Sequence, residues 1–404
     1  MHERDDVSRR DLLKAAALGV VAAGMADAPR FDLRAIERGR ILPVAGRFLK
    51  EQPLTVTAFR SPRSAGGLHD FFSEGDYWWP DPKNPEGPYI QRDGESNPDN
   101  FVEHRRAMIR LATQVATLTS AYRLTGDERF AARAMDHLRA WFVDDATRMS
   151  PHLLYAQAIK GRATGRGTGI IDTIHLVEVA RSVRFLSAST SASRTDVKAV
   201  SAWFQAYLTW LTTHEYGLAE RDAANNHATC WVMQAAAFAQ LTGDAATIEF
   251  CRDRYMHVLV PGQMAADGSF PLELKRTKPY GYSLFNLDAF ATICQILSPG
   301  DTRPAARGRA APDDLWTWTT PDGRGMRRAV QFLFPYIREK SGWPFAKDVM
   351  FFDKWPVRHS SLLFAGLAYS EPRYLDLWLT LDPEPTTEEV IRNLPIRHPL
   401  LWVD

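Results

Sequence analysis

FVEHRRAMIRLATQVATLTSAYRLTGDERFAARAMDHLRAWF, from Phe101 to Phe142, carries the architecture in miniature. Met108, Leu111, Val115 and Leu118 recur at helical spacing and predict a helix from Phe101 to Leu124. Thr125-Gly126-Asp127 interrupts it, and a second helix is expected from about Glu128 to Phe142. Gly126 suits the left-handed residue that closes a helix, and Asp127 suits the N-cap of the next. The same Leu-Thr-Gly-Asp recurs at Leu241 to Asp244, between a helix over Thr229 to Gln240 and one holding Phe250 and Tyr255. A third apolar helix reverses around Tyr369 to Pro372. Repeated helix-turn-helix units without strand alternation predict an all-α toroid of antiparallel hairpins.

The first 28 residues read as an export signal. Ser8-Arg9-Arg10-Asp11-Leu12-Leu13-Lys14 has twin-arginine form, Ala15 to Met25 is apolar, and Ala26-Asp27-Ala28 has the small-x-small form of a cleavage site. That apolar stretch is shorter than the ~20 residues that cross a bilayer. A periplasmic or secreted protein is expected, with no membrane insertion after processing. No Pro/Ser/Gly-rich linker divides residues 29–404, so one catalytic domain is expected there. Net charge is +1, and removing the four basic and five acidic residues of the signal leaves +2. A polyanionic partner would therefore need a local basic cleft, and nucleic acid is not expected. Cys230, Cys251 and Cys294 are too few and too far apart for a metal site or a disulfide framework. No cofactor and no metal are expected.

Two segments carry chemistry. RDAANNHATCW (Arg221 to Trp231) holds Asn225, Asn226 and His227, and ELKRTKPYGY (Glu273 to Tyr282) holds Arg276 and Tyr282. An amide, an imidazole, a permanent cation and a phenol suit removal of a proton beside a carboxylate. The C5 hydrogen of a 4-linked uronate lies α to such a carboxylate and is barely acidic until that charge is neutralised. Amide and guanidinium donors stabilise the enediolate-like charge as the proton leaves. A tyrosine can then take the C5 proton and return one to the O4 leaving group. For that the phenolate must be favoured, so Arg276 and His227 are expected to lie against Tyr282 and lower its pKa. Asn225, Lys278 and Tyr280 flank these residues and are expected to contact substrate.

Two irregular stretches complete the candidate cleft. Asp76-Tyr77-Trp78-Trp79-Pro80-Asp81-Pro82 opens a Pro-rich loop reaching Pro98. Adjacent tryptophans cannot both enter one core, so Trp78 or Trp79 is expected to wall a sugar subsite. The basic, glycine-rich loop Lys160 to Gly169 lacks the ending of a phosphate-binding loop. Its Arg162 and Arg166 are expected to contact remote carboxylates of a polymer.

RDAANNHATCW, DGSFPLELKRTKPYGYSLFNLDAF (Asp267 to Phe290) and SEGDYWWPDPKNPEGPYIQRDG (Ser73 to Gly94) together resemble the alginate lyase superfamily. The Asn-His pair and the Arg before a Tyr resemble the family five alginate lyases. The Trp-Trp-Pro block and the six-residue Arg-to-Tyr interval are more similar to polysaccharide lyase family thirty-eight, which acts on glucuronan and alginate. The similarity spans roughly Leu68 to Leu375. It implies an incomplete (α/α) barrel and an anionic polysaccharide substrate. By it, Asn226 and Arg276 neutralise the carboxylate, while His227 and Tyr282 move protons.

Two rivals stay open at this level. Helical toroids also host glycoside hydrolases, which need two facing carboxyl groups, and Asp172, Asp222 and Glu273 are the available candidates. The other is a periplasmic polyuronate-binding protein without turnover. Oligomeric state is not legible.

Overall fold

A computed structural model describes residues 31–298 and 314–403. The twin-arginine segment lies outside them. The main helices are α1 (Leu33–Phe48), α2 (Glu103–Thr125), α3 (Glu128–Phe142), α4 (Leu176–Leu186) and α5 (Arg194–Thr213). They continue with α6 (Glu215–Arg221), α7 (Asn226–Thr242), α8 (Ala245–Arg254), α9 (Pro279–Leu297) and α10 (Met326–Arg338). The last three are α11 (Ser360–Ala368), α12 (Pro372–Thr380) and the short α13 (Glu388–Arg392).

The predicted hairpin is present as α2 and α3. Gly126 closes α2 at φ 71°, and the Asp127 side chain accepts from the Arg129 N–H at 3.0 Å. Gly243 repeats the device at φ 75°, and Asp244 caps α8 through Thr247. A residue with a Cβ is disfavoured at both left-handed positions.

Two kinds of helix build the ring. In α10 the buried residues are Met326, Ala329, Val330, Leu333, Phe334 and Ile337, a one-sided stripe that leaves the opposite face to solvent. In α9 every residue from Pro279 to Leu297 except Gln295 is buried. Helices α2, α4, α7, α9 and α11 pack in succession as an inner row, and α3, α5, α8, α10 and α12 lie outside it. The buried apolar side chains form one continuous cluster. The segment Pro399–Leu401 packs on α1, α2 and α4. The architecture is thus the expected all-α incomplete toroid.

The Trp/Pro loop is more ordered than its composition suggests. Strand β1 (Phe72–Glu74) pairs in parallel with β4 (Tyr155–Ala158), and β2 (Trp78–Trp79) pairs antiparallel with β3 (Ile90–Gln91). Asn97 and Asn100, both buried, tie it down: Asn97 Nδ2 donates to the Trp78 carbonyl at 2.9 Å, Asn100 Nδ2 to that of Gly75 at 2.7 Å. This flap lies over the end of the ring where α7 and α9 begin. No helix among the described residues is long and apolar enough to cross a membrane. The three cysteines are buried free thiols.

Candidate active site

Flap and helix ends enclose a cavity of about 350 Å³. Its walls include Asn226 and His227 from the first turn of α7, Tyr282 from the first turn of α9, and Arg276 just before it. Residues 56 apart in sequence meet because α7 and α9 are packed neighbours whose N-terminal ends face the same space.

Each side chain is held by a partner. The Asn226 backbone N–H donates to Glu273 Oε1 at 2.8 Å, and its Nδ2 donates to Oε2 at 2.6 Å. Both oxygens accept, so the amide orientation is determined and Nδ2 keeps one hydrogen for a ligand. Burial raises the Glu273 pKa although Asn226, Arg276 and His227 all oppose it. His227 Nδ1 lies 2.6 Å from Oε1 of the buried Glu220. Burial disfavours the imidazolium, but Glu220 and, less strongly, Glu273 favour it, and the net shift is upward.

Arg276 lines the cavity as expected and is already paired within the protein. Its Nε and Nη2 lie 3.1 and 2.7 Å from the two oxygens of Asp93, and Thr277 Oγ1 donates to the same carboxylate. Burial opposes ionisation of Asp93, yet these contacts hold it below its usual range. The guanidinium also lies 4.4 Å over the Tyr282 ring, with Nη2 3.4 Å from the phenol oxygen. The fork is thus engaged by the protein, and its most direct remaining influence falls on Tyr282.

Tyr282 is a phenol here, against expectation. Its O–H donates to the Tyr77 oxygen at 2.7 Å. Burial raises its pKa well above the ordinary value, Tyr77 adds to that, and Arg276 only partly offsets it. The desolvation of a phenolate outweighs a cation already paired with Asp93. Tyr77 in turn accepts from Arg392 Nη2 at 3.1 Å. Arg392, at the end of α13, also pairs with Asp76 at 2.8 Å.

The remaining expected site residues divide. Trp78 lines the cavity and Trp79 does not. The two are consecutive in a strand, so their side chains leave on opposite faces. Gln91, opposite Trp78 in the ladder, also lines the cavity. Trp79 points away, its Nε1 donating to the Glu95 carbonyl and its ring under Arg92. Arg166 lines the cavity and donates to the carbonyl and Oε1 of Gln157 at 3.0 and 2.8 Å. Arg162 is exposed outside it and donates to the Tyr89 carbonyl.

Asn225, Lys278 and Tyr280 also lie outside the cavity lining. Asn225 sits at the N-cap of α7, where its carbonyl accepts from Gln263. Lys278 is buried and paired with Glu389 at 2.7 Å, beneath the Tyr77 ring. Tyr280 is fully buried among Trp343 and Phe352 and donates to the Tyr336 carbonyl. The short period of the helix turns it away from the face that Tyr282 occupies.

The three carboxylates that suited a hydrolase are each engaged. Asp172 accepts from Ser73, Gln157 and Arg105. Asp222 pairs at the surface with Arg221 and Arg254. Glu273 holds Asn226. Among the described residues no His/Cys/Asp/Glu group has the geometry to hold a metal.

Tyr77, Asp93, Gln157, Glu220 and Arg392 were not singled out by sequence. Tyr77 and Asp93 both sit within the Ser73 to Gly94 block: Asp93 lies two residues beyond Gln91, the spacing of one strand face, whereas Tyr77 precedes the strand and alternation gives no signal for it. Gln157 lies at φ 49°, a conformation worth ~1–3 kcal/mol of strain that marks functional positions. Glu220 and Arg392 have no local motif.

The family model described as alginate lyase matches residues 55–343. The solved structure of an alginate lyase from Bacteroides ovatus is 30% identical, with a TM-score of 0.76, covering 91% of this chain and 93% of its own. Alginate lyase A1-III from Sphingomonas species A1 is 15% identical, with a TM-score of 0.52 over 90% of this chain and 94% of its own. A histidine-to-alanine variant of A1-III complexed with a tetrasaccharide is 16% identical, with a TM-score of 0.55 over 88% and 89%. No curated protein matches the sequence. Model match, identity and near-complete coverage agree: the chain belongs to the alginate lyase family and is a polysaccharide lyase.

Proposed function

We propose that this enzyme is exported and cleaves 4-linked polyuronates by β-elimination, with mannuronate-rich alginate and glucuronan as first substrates. Residues 29–404 act as one catalytic unit in this reading. The observation that carries it is the convergence of Asn226, His227, Arg276 and Tyr282 on one cavity, without an unengaged carboxylate pair beside them.

Substrate enters with its C6 carboxylate against Asn226 Nδ2 and His227 Nε2, the donors left facing open space. Tyr282 reacts as the phenolate, its own proton released once to solvent, and Arg276 over the ring stabilises that form. The phenolate takes the C5 proton. Electrons of that bond form the C4–C5 double bond as the C4–O4 bond breaks, and the phenol protonates O4. Mannuronate and glucuronate share configuration at C4 and C5, so one tyrosine on one face serves both. Guluronate inverts C5, and there His227 would be the base. Arg166, with no carboxylate partner among the described residues, holds a neighbouring uronate beside the Trp78 face.

The test is ultraviolet absorbance of products from polymannuronate, polyguluronate and glucuronan. Unsaturated ends from the first and third, with a slower rate on the second, are expected. Saturated ends alone would reject elimination.

A further inference from the structure

A cavity that binds a polyanion needs positive charge, and most of the positive charge here is already matched. Arg276 faces Asp93, and Arg392 faces Asp76 and Glu389. Arg105, behind the wall, faces Asp76 and Asp172. The site at which the scissile uronate sits, between Asn226 and Tyr282, is left with His227 as its titratable donor.

Glu220 is the residue that decides the form of that donor. It lies in α6, seven residues before His227, and is 1% exposed. Its Oε1 is 2.6 Å from His227 Nδ1, while Nε2 makes no hydrogen bond among the described residues and the ring lines the cavity. A carboxylate accepts from Nδ1–H, which leaves Nε2 as the working atom in either protonation state. We propose that Glu220 is a positioning residue: it fixes the His227 ring and holds its imidazolium, so that Nε2–H binds the substrate carboxylate at the moment Tyr282 abstracts the proton. This rests on the lyase reading above.

The other charges around the ring support the assignment. Glu273, from the turn Pro271–Leu274, favours the imidazolium, and Arg276 disfavours it. Arg166, from the loop before Gly167–Thr173, Tyr207 of α5 and Cys230 of α7 lie within electrostatic reach of Glu220. Of the charges that act on the ring itself, Glu220 and Glu273 favour the proton and the paired Arg276 opposes it.

The experiment compares the full-length enzyme with Glu220→Gln and Glu220→Asp. Histidine ring ¹⁵N shifts are followed against pH, alongside kcat/KM on polymannuronate. In the wild type, neutral His227 should show the Nδ1–H tautomer. Glu220→Gln should move the His227 midpoint to lower pH, and the break in the rate profile should move with it. The plateau should fall by about tenfold for each pH unit moved, since the imidazolium fraction falls by that factor. Overall loss should reach roughly 10- to 100-fold, the range for outer partners of functional imidazoles. Glu220→Asp, which keeps the charge, should restore part of both. An Nε2–H tautomer in the wild type would overturn the proposal even if Glu220→Gln does not fold. A midpoint that moves while the rate profile stays still would overturn the catalytic part. Failure of the lyase reading shows separately, as wild-type enzyme that makes no unsaturated product.

Discussion

Three buried carboxylates hold the Nδ1 of a histidine at nearly one distance: Glu220 and His227 at 2.6 Å, Glu178 and His398 at 2.7 Å, Asp288 and His359 at 2.7 Å. The first pair stands at the cavity wall; the other two lie in the helical interior. His398 passes its second nitrogen to Thr117 at 2.9 Å, and its carboxylate also accepts from the N–H groups of Arg397 and His398. That pair ties the C-terminal segment to α2 and α4. Asp288 also accepts from the Ser361 N–H and so joins α9 to the start of α11. His227 alone presents Nε2 to open space. Identical chemistry is structural where both ends of the imidazole are enclosed, and available for substrate where one end is open.

The comparison can be broken by substitution. The largest effect is expected for Tyr282→Phe, which deletes only the oxygen that moves protons. Turnover should fall by ~10²–10⁴-fold, with only the small stability loss of one hydrogen bond, ~1 kcal/mol. Near-normal turnover would remove Tyr282 from the mechanism. Next, His227→Ala should abolish most activity, whereas His398→Ala should lower stability and leave the folded enzyme active. Removing one partner of a buried pair costs about 3–5 kcal/mol, readable as the urea midpoint, with kcat of the folded fraction retained. If His398→Ala is as inactive as His227→Ala while folded, exposure of Nε2 is not what separates them.

Asp93→Asn keeps the shape of the Arg276 clamp and removes its charge. A loss of roughly 10- to 100-fold in kcat/KM is expected, the worth of a charge-assisted hydrogen bond. An increase instead would mean that Asp93 competes with substrate for Arg276.

Two interior histidines set a pH dependence of stability. Burial pushes both His137 and His175 down to about 4. Their folded pKa lies below the unfolded value of ~6.5, so the stability they contribute is present above that value. It is lost as pH falls from there towards 4, and the urea midpoint should decline across that window. A flat midpoint would show that these rings are not buried as neutral groups. The smallest effect is expected from Tyr280→Phe, which loses one hydrogen bond to Tyr336 worth ~1 kcal/mol. Activity should stay intact, in contrast to Tyr282→Phe two residues on.

Much of this was legible in the chain. Helical spacing in Phe101–Phe142 and the repeated Leu-Thr-Gly-Asp determined hairpins, because amphipathic period and cap chemistry are local. Asn226, His227, Arg276 and Tyr282 were legible as a set, because residue type states what a side chain can donate, accept or hold. What surrounds a side chain is not local. Only the packing of α7 on α9 brought the two segments together, and only strand pairing sent Trp78 inward and Trp79 outward. Tertiary structure also turned Lys278 and Tyr280 into buried supports, matched Arg276 with Asp93, and kept Tyr282 a phenol. The physical reason is desolvation: the cost of a charge depends on every group packed around it, and those groups come from segments that spacing along the chain cannot connect.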